Sequence, residues 1–138
     1  MNQNFAPNGC RCWMQVDDND DLLFMLATML GKLTDAEIGQ FRSPASALEA
    51  FAAAPEKYEL VITDYEMPEM DGVELCRRMH AVAPTQKIVL TTGSGFFTAA
   101  VAQRAGFSAL LNKPYSLAEI HAALAATGIK TDAVGVAS

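Results

Sequence analysis

A doubly wound α/β fold with five parallel strands in one sheet is what this chain of 138 residues predicts, on three observations. Short apolar runs alternate five times with helix-period segments, the pattern of a parallel sheet whose crossovers are helices. Two of the runs, "LVIT" (60–63) and "KIVLT" (87–91), are continuously apolar, as strands covered on both faces are. Residues with chemical potential follow four of the runs, and such sheets bind ligands at the carboxyl ends of their strands.

The elements follow in order. The first strand is "RCWMQV" (11–16), and a helix over 21–33 follows it. "EIGQF" (37–41) is the second strand. Ser43-Pro44 then opens a helix, a cap residue followed by Pro at the first helical position. After the strand at 60–63, Val73, Cys76, Met79 and Val82 form one apolar stripe of a helix over about 73–82. The strand at 87–91 is followed by a helix that stops at Gly106. "ALLN" (109–112) is the fifth strand, and Ser116-Leu-Ala-Glu119 is a capping box for the last helix. Residues 1–9 and 128–138 lack apolar periodicity and read as tails around a domain at 10–127.

Composition narrows the function classes. With 51% hydrophobic and 19% charged residues the chain is globular, of a length that suits one domain. No apolar run approaches a membrane span and no signal-peptide pattern opens the chain, so the cytoplasm is the expected location. A net charge of -6 with scattered basic residues argues against a nucleic-acid surface. Three cysteines, Cys10, Cys12 and Cys76, form no disulfide framework, and the set is short of ligands for a structural zinc.

The strand ends carry Asp17 and Asp18, Asp64, Thr91 and Thr92, and Lys113 before Pro114. Singly each has an ordinary explanation, a helix N-terminus, a turn or a solvated charge. Together they make chemical sense. Carboxylates converging at one rim repel by up to ~4 kcal/mol per close pair at intermediate dielectric, so a hard divalent cation, Mg²⁺, is their natural neutraliser. A lysine and a threonine hydroxyl beside them suit a phosphoryl group, which Asp64 could accept as a nucleophile to form an acyl phosphate.

In that order of acids, hydroxyl and Lys-Pro, with "TDYEMPEMDG" (63–72) and "LLNKPYSLAEI" (110–120), the chain resembles the receiver domains of two-component response regulators over about residues 11–127. The resemblance implies Asp64 as phospho-acceptor, Lys113 as the phosphate-pairing lysine and Thr92 as the switch hydroxyl. It implies Mg²⁺ held by Asp18 and Asp64, by Asp17 through water, and by the backbone carbonyl of Glu66. The Lys113–Pro114 bond is expected to be cis. The chain departs from the family in two places. The segment after Thr92 is one residue short, which leaves Thr91 as a competitor for the switch, and Leu110 stands where an aromatic partner of the switch is usual.

Two other classes share parts of the pattern. Haloacid-dehalogenase phosphatases use a strand-end Asp, Mg²⁺, Thr and Lys, but place a general-acid Asp where this chain has Glu66. A flavodoxin-like module would cradle a phosphate in "TTGSG" (91–95), against which the acidic pair argues. The resemblance implies a phospho-acceptor module and not an enzyme acting on other substrates. Its partners would be a histidine kinase or a histidine phosphotransfer domain, with no membrane or nucleic acid. No output domain follows residue 127, which suggests a stand-alone receiver or the receiver of a hybrid kinase. The Ala-rich "AEIHAALAAT" (118–127) lacks the charged partners of dimerising receivers, so a monomer is expected. In the first helix, Leu22, Leu26, Met29, Leu30 and Leu33 are expected on the sheet, leaving Phe24 and Met25 outward for a partner.

Overall fold

The computed structural model describes residues 11–131. The elements are β1 (Cys12–Val16), α1 (Asp20–Leu30), β2 (Glu37–Phe41), α2 (Pro44–Ala53), β3 (Tyr58–Asp64), α3 (Gly72–Val82), β4 (Ile88–Thr92), α4 (Ala99–Arg104), β5 (Ala109–Asn112) and α5 (Leu117–Thr127). The strands form one parallel sheet in the order β2-β1-β3-β4-β5. The chain first moves outward from β1 to β2 and then runs the other way through β3, β4 and β5. The switch point therefore lies between β1 and β3, and a crevice opens above their carboxyl ends.

Alternation along the strands divides two cores. Met14 and Val16 of β1, Val61 of β3 and Leu90 of β4 meet Phe51 of α2 and Leu75, Cys76 and Met79 of α3. On the opposite face Trp13, Leu60, Ile62 and Val89 meet Leu26 and Leu30 of α1 and Ile120 and Leu124 of α5. Each fully buried side chain of this size contributes roughly 1.5–3 kcal/mol of transfer free energy, so each helix is held mainly by its apolar stripe. Gln15 is the polar exception in β1, satisfied by donating to the Leu23 carbonyl at 3.0 Å. The free thiol of Cys76, with its pKa pushed up to about 11 by burial, is a core residue. Cys10 lies outside the described residues.

Helix entries follow their capping chemistry. Asn19, Ser43, Asp71, Thr98 and Ser116 each accept a backbone N–H of the first turn of the helix they precede, and Ser116 with Glu119 completes the capping box. Gly72 opens α3 beside the site. A Cβ there would stand 2.5 Å from the Asp64 carbonyl oxygen, so only glycine lets the helix start this close to the strand end.

Three expectations are corrected. The first helix stops at Leu30, where Gly31 takes the C-cap, and Leu33 is buried from the turn beyond it. That helix buries Leu23, Leu26 and Leu30, while Leu22 and Met29 are only partly covered. "LLFMLATML" is apolar nearly all round, so its sequence leaves the rotation of the helix open, and packing against the sheet decides it. Residues 128–138 were expected to be tail, yet Ile129 packs in the second core behind Gly128, which ends α5 at a left-handed φ of 82°. The expected N-terminal tail, 1–9, lies outside the described residues, as do residues 132–138. No helix among the described residues is long and apolar enough to cross a membrane.

Candidate functional site

Asp64 is the last residue of β3 and is 4% exposed. Its neighbour on one side is β1, whose continuation supplies Asp17, also buried, and the exposed Asp18. Carboxylate oxygens of Asp17, Asp18 and Asp64 lie within 4.8 Å of one another. On the other side β4 ends at Thr92 and β5 leads to Lys113. The Lys113 Nζ donates to Asp64 Oδ1 at 2.8 Å and stands 3.6 Å from Asp17 Oδ2. One ammonium thus faces two buried carboxylates, with the third acid at the solvent edge.

Local structure fixes these side chains. Asp17 N donates to the Phe41 carbonyl, which extends the β1–β2 ladder, and Asp17 Oδ1 accepts from Asn19 N at 2.9 Å. Asn19 in turn caps α1. Beyond Asp64 the chain stays anchored, with Tyr65 N donating to the Thr91 carbonyl and the Tyr65 carbonyl accepting from Gly72 N. Lys113 N donates to the Thr92 carbonyl, and the Lys113–Pro114 bond is cis. Thr91 is in register with Asp64, whereas Thr92, fully buried one residue further toward the rim, accepts Ser94 N on its hydroxyl at 3.1 Å. Glu66 lies in the loop after β3 with its side chain exposed and outside the carboxylate cluster.

The electrostatics are those of crowded like charge. Burial raises the Asp17 pKa from its ordinary 3.8, and the charges of Asp64 and Asp18 push it the same way, against the Asn19 N–H and Lys113. The Tyr115 phenol is raised to about 12, by burial first and then by Asp17 and Asp64. Tyr115 stands two residues after Lys113, and nothing in its sequence context marks it as a neighbour of the acids.

A raised carboxylate pKa means that the folded state binds the proton more tightly than the unfolded chain. Ionised Asp17 therefore lowers stability at neutral pH, and that cost disappears as the pH falls through its raised pKa toward 3.8. Asp17→Asn is expected to raise the metal-free melting temperature at pH 7 by about 4 °C, near 1 kcal/mol for a domain of this size. The gain should vanish near pH 4 in melts run with a chelator. An equal gain at both pH values would assign it to packing.

The chain matches the family model described as the response regulator receiver domain over residues 14–125. It is similar to the response regulator receiver protein CpdR of Brucella abortus, 34% identical over 115 residues that cover 80% of this chain and 89% of that protein. It is also similar to the transcriptional regulatory protein FixJ of Azorhizobium caulinodans, 31% identical over 113 residues, 81% of this chain and 52% of FixJ. The chain thus spans about half the length of the latter. In fold it is similar to a chain of the CheX–CheY complex with BeF3 and Mg²⁺ from Borrelia burgdorferi, with a TM-score of 0.80, 15% identity and coverage of 94% and 100%. By its sequence match and its five-stranded parallel fold, the chain belongs to the response regulator receiver domains, the signalling modules of two-component systems.

Proposed function

We propose that the domain accepts a phosphoryl group on Asp64 from a histidine kinase or a histidine phosphotransfer domain, acting in the cytoplasm as a monomer. The observation that carries this reading is the Asp64 carboxylate at a strand end, paired with Lys113 and adjoining two further acids. Attack by an Asp64 oxygen on a phosphohistidine forms the O–P bond while the P–N bond breaks, and the imidazole leaves with the electron pair and takes up a proton. Lys113 balances charge on the phosphoryl oxygens, and the Thr92 hydroxyl donates to one of them. With a small phosphodonor such as acetyl phosphate the same attack proceeds without a partner protein. The test is intact mass after incubation with acetyl phosphate and Mg²⁺: a gain of one phosphoryl group supports the reading, and no gain overturns it.

The donor set fits Mg²⁺, since hard carboxylate oxygens of Asp17, Asp18 and Asp64 already converge, and the resemblance adds the backbone carbonyl of Glu66 as a further ligand. Bound there, the ion supplies positive charge for the transferring group. Millimolar Mg²⁺ is expected to raise the melting temperature before any phosphorylation, because binding to the folded state alone shifts the unfolding equilibrium. Asp18→Ala should abolish most of that shift. An equal shift in wild type and variant would move the metal away from these residues.

Partner docking is assigned to the outer side of α1. Phe24 is 74% exposed and Met25 40% exposed, on a helix that starts three residues after Asp17. Phe24 also borders a shallow groove with Asp20, Gln40 and Arg42, so it offers an aromatic anchor ringed by polar groups. Phe24→Asp should slow transfer from the cognate histidine protein by at least roughly tenfold, about 1.4 kcal/mol, while loading from acetyl phosphate is unchanged. Unaltered transfer in the folded variant would place docking elsewhere.

A further inference from the structure

Leu110, half-buried on β5, cannot supply an aromatic edge to the switch side of the sheet. The structure nevertheless places aromatic rings on that side. The Tyr65 ring packs edge-to-face on Phe97, with centroids 4.8 Å apart at 69°. Phe97 in turn meets Phe96 edge-to-face at 5.7 Å and 83°. Phe97 is 9% exposed and Phe96 74%, so the three rings run from the residue after Asp64 to the surface. Phe97 and Leu110 line one groove of about 540 Å³ between α4, β5 and α5, so the buried ring comes from the loop after β4 and the aliphatic side chain from the strand.

The loop that carries these rings is tied to the site by a second route. Thr92 Oγ1 accepts from Ser94 N, and Ser94 Oγ accepts from Phe96 N, each at 3.1 Å. Two successive hydrogen bonds therefore join the Thr92 hydroxyl to the backbone of Phe96. Threonine is stiff at χ1, so a Thr92 hydroxyl turned toward a group on Asp64 leaves the acceptor position that Ser94 N now uses. The turn at Ser94 then loses its anchor. Edge-to-face contacts are directional, so Phe96 and Phe97 cannot shift without changing the stack on Tyr65, whose own backbone is fixed by Thr91 and Gly72.

We propose that Tyr65, Phe97 and Phe96 form an aromatic relay that reports the state of Asp64 at the surface of the β4–α4 loop, in place of an aromatic at position 110. The relay rests on the reading of Asp64 as phospho-acceptor. Its input is the Thr92–Ser94 bond, its fixed end is Tyr65 and its output is the exposed Phe96.

The test uses BeF3 with Mg²⁺ as the phosphoryl mimic, with binding read by calorimetry and the loop read by amide exchange and ring signals of labelled Phe and Tyr. In the wild type, BeF3 should change exchange at the Phe96 amide by at least about tenfold and shift the Phe96 ring signals. Phe97→Leu should bind BeF3 within about threefold of wild type and lose the Phe96 ring shift, while the Phe96 amide, reached through Ser94, still responds. Tyr65→Leu should lose the ring shift as well, and decides the matter if Phe97→Leu does not fold, while Tyr65→Phe should respond as the wild type does. A full Phe96 ring shift in folded Phe97→Leu or Tyr65→Leu overturns the relay alone. If the wild type does not bind BeF3, the acceptor reading of Asp64 fails and the relay with it.

Discussion

Asp64→Asn is expected to take up no phosphoryl group from acetyl phosphate under conditions that load the wild type, a loss of at least about a thousandfold in rate. Asn has nearly the shape of Asp and can still accept from Lys113, so the fold and the site's outline persist. What it lacks is the anionic oxygen that attacks phosphorus in the proposed reaction. The alternative nucleophiles are poor. Asp17 is buried with its pKa raised, and one of its oxygens is occupied by Asn19 N, while Asp18 is exposed but carries no pairing lysine among the contacts described. Intact mass and acid–base lability of the product decide it. Uptake by Asp64→Asn at the wild-type rate would move the acceptor to another residue.

Much of this site is legible in the sequence because its residues sit at strand ends, and strand ends are where local patterns are sharpest. "LVITD" announces both the buried strand and the carboxylate that ends it, since a continuous apolar run leaves one place for a charge. Ser116 and Glu119 announce the last helix through reciprocal capping, and Ser43-Pro44 the second. Less is legible where several solutions satisfy the same pattern. The rotation of α1 is one case, because an all-round apolar helix has no phase until the sheet supplies it. The short α4 is another, since six residues hold too little periodicity and only its end near Gly106 is marked. The approach of Tyr115 to the acids and the stacking of Tyr65 on Phe97 depend on contacts between distant segments, which no local pattern encodes.

Lys113→Met should lower stability without metal by about 3 kcal/mol, because removing one partner of a buried pair leaves charge uncompensated. The side chains of Lys113, Asp17 and Asp64 are 19%, 9% and 5% exposed, so water replaces little of what the ammonium supplies. Methionine keeps much of the lysine stem, which confines the change to charge and hydrogen bonding. For a domain of this size the loss corresponds to a fall of roughly 12 °C in melting temperature. Mg²⁺ should restore much of it, because a cation among Asp17, Asp18 and Asp64 offsets the same repulsion, so the metal-induced shift should exceed that of the wild type. In an Asp17→Asn background one of the two carboxylates facing Lys113 is neutral, and losing the lysine then leaves a single buried charge instead of a repelling pair. The Lys113→Met penalty should shrink by at least about 1 kcal/mol there, a coupling measurable by a double-mutant cycle with a chelator present. Equal penalties in both backgrounds would show that Lys113 stabilises the fold without sensing Asp17, and that the ammonium serves Asp64 alone.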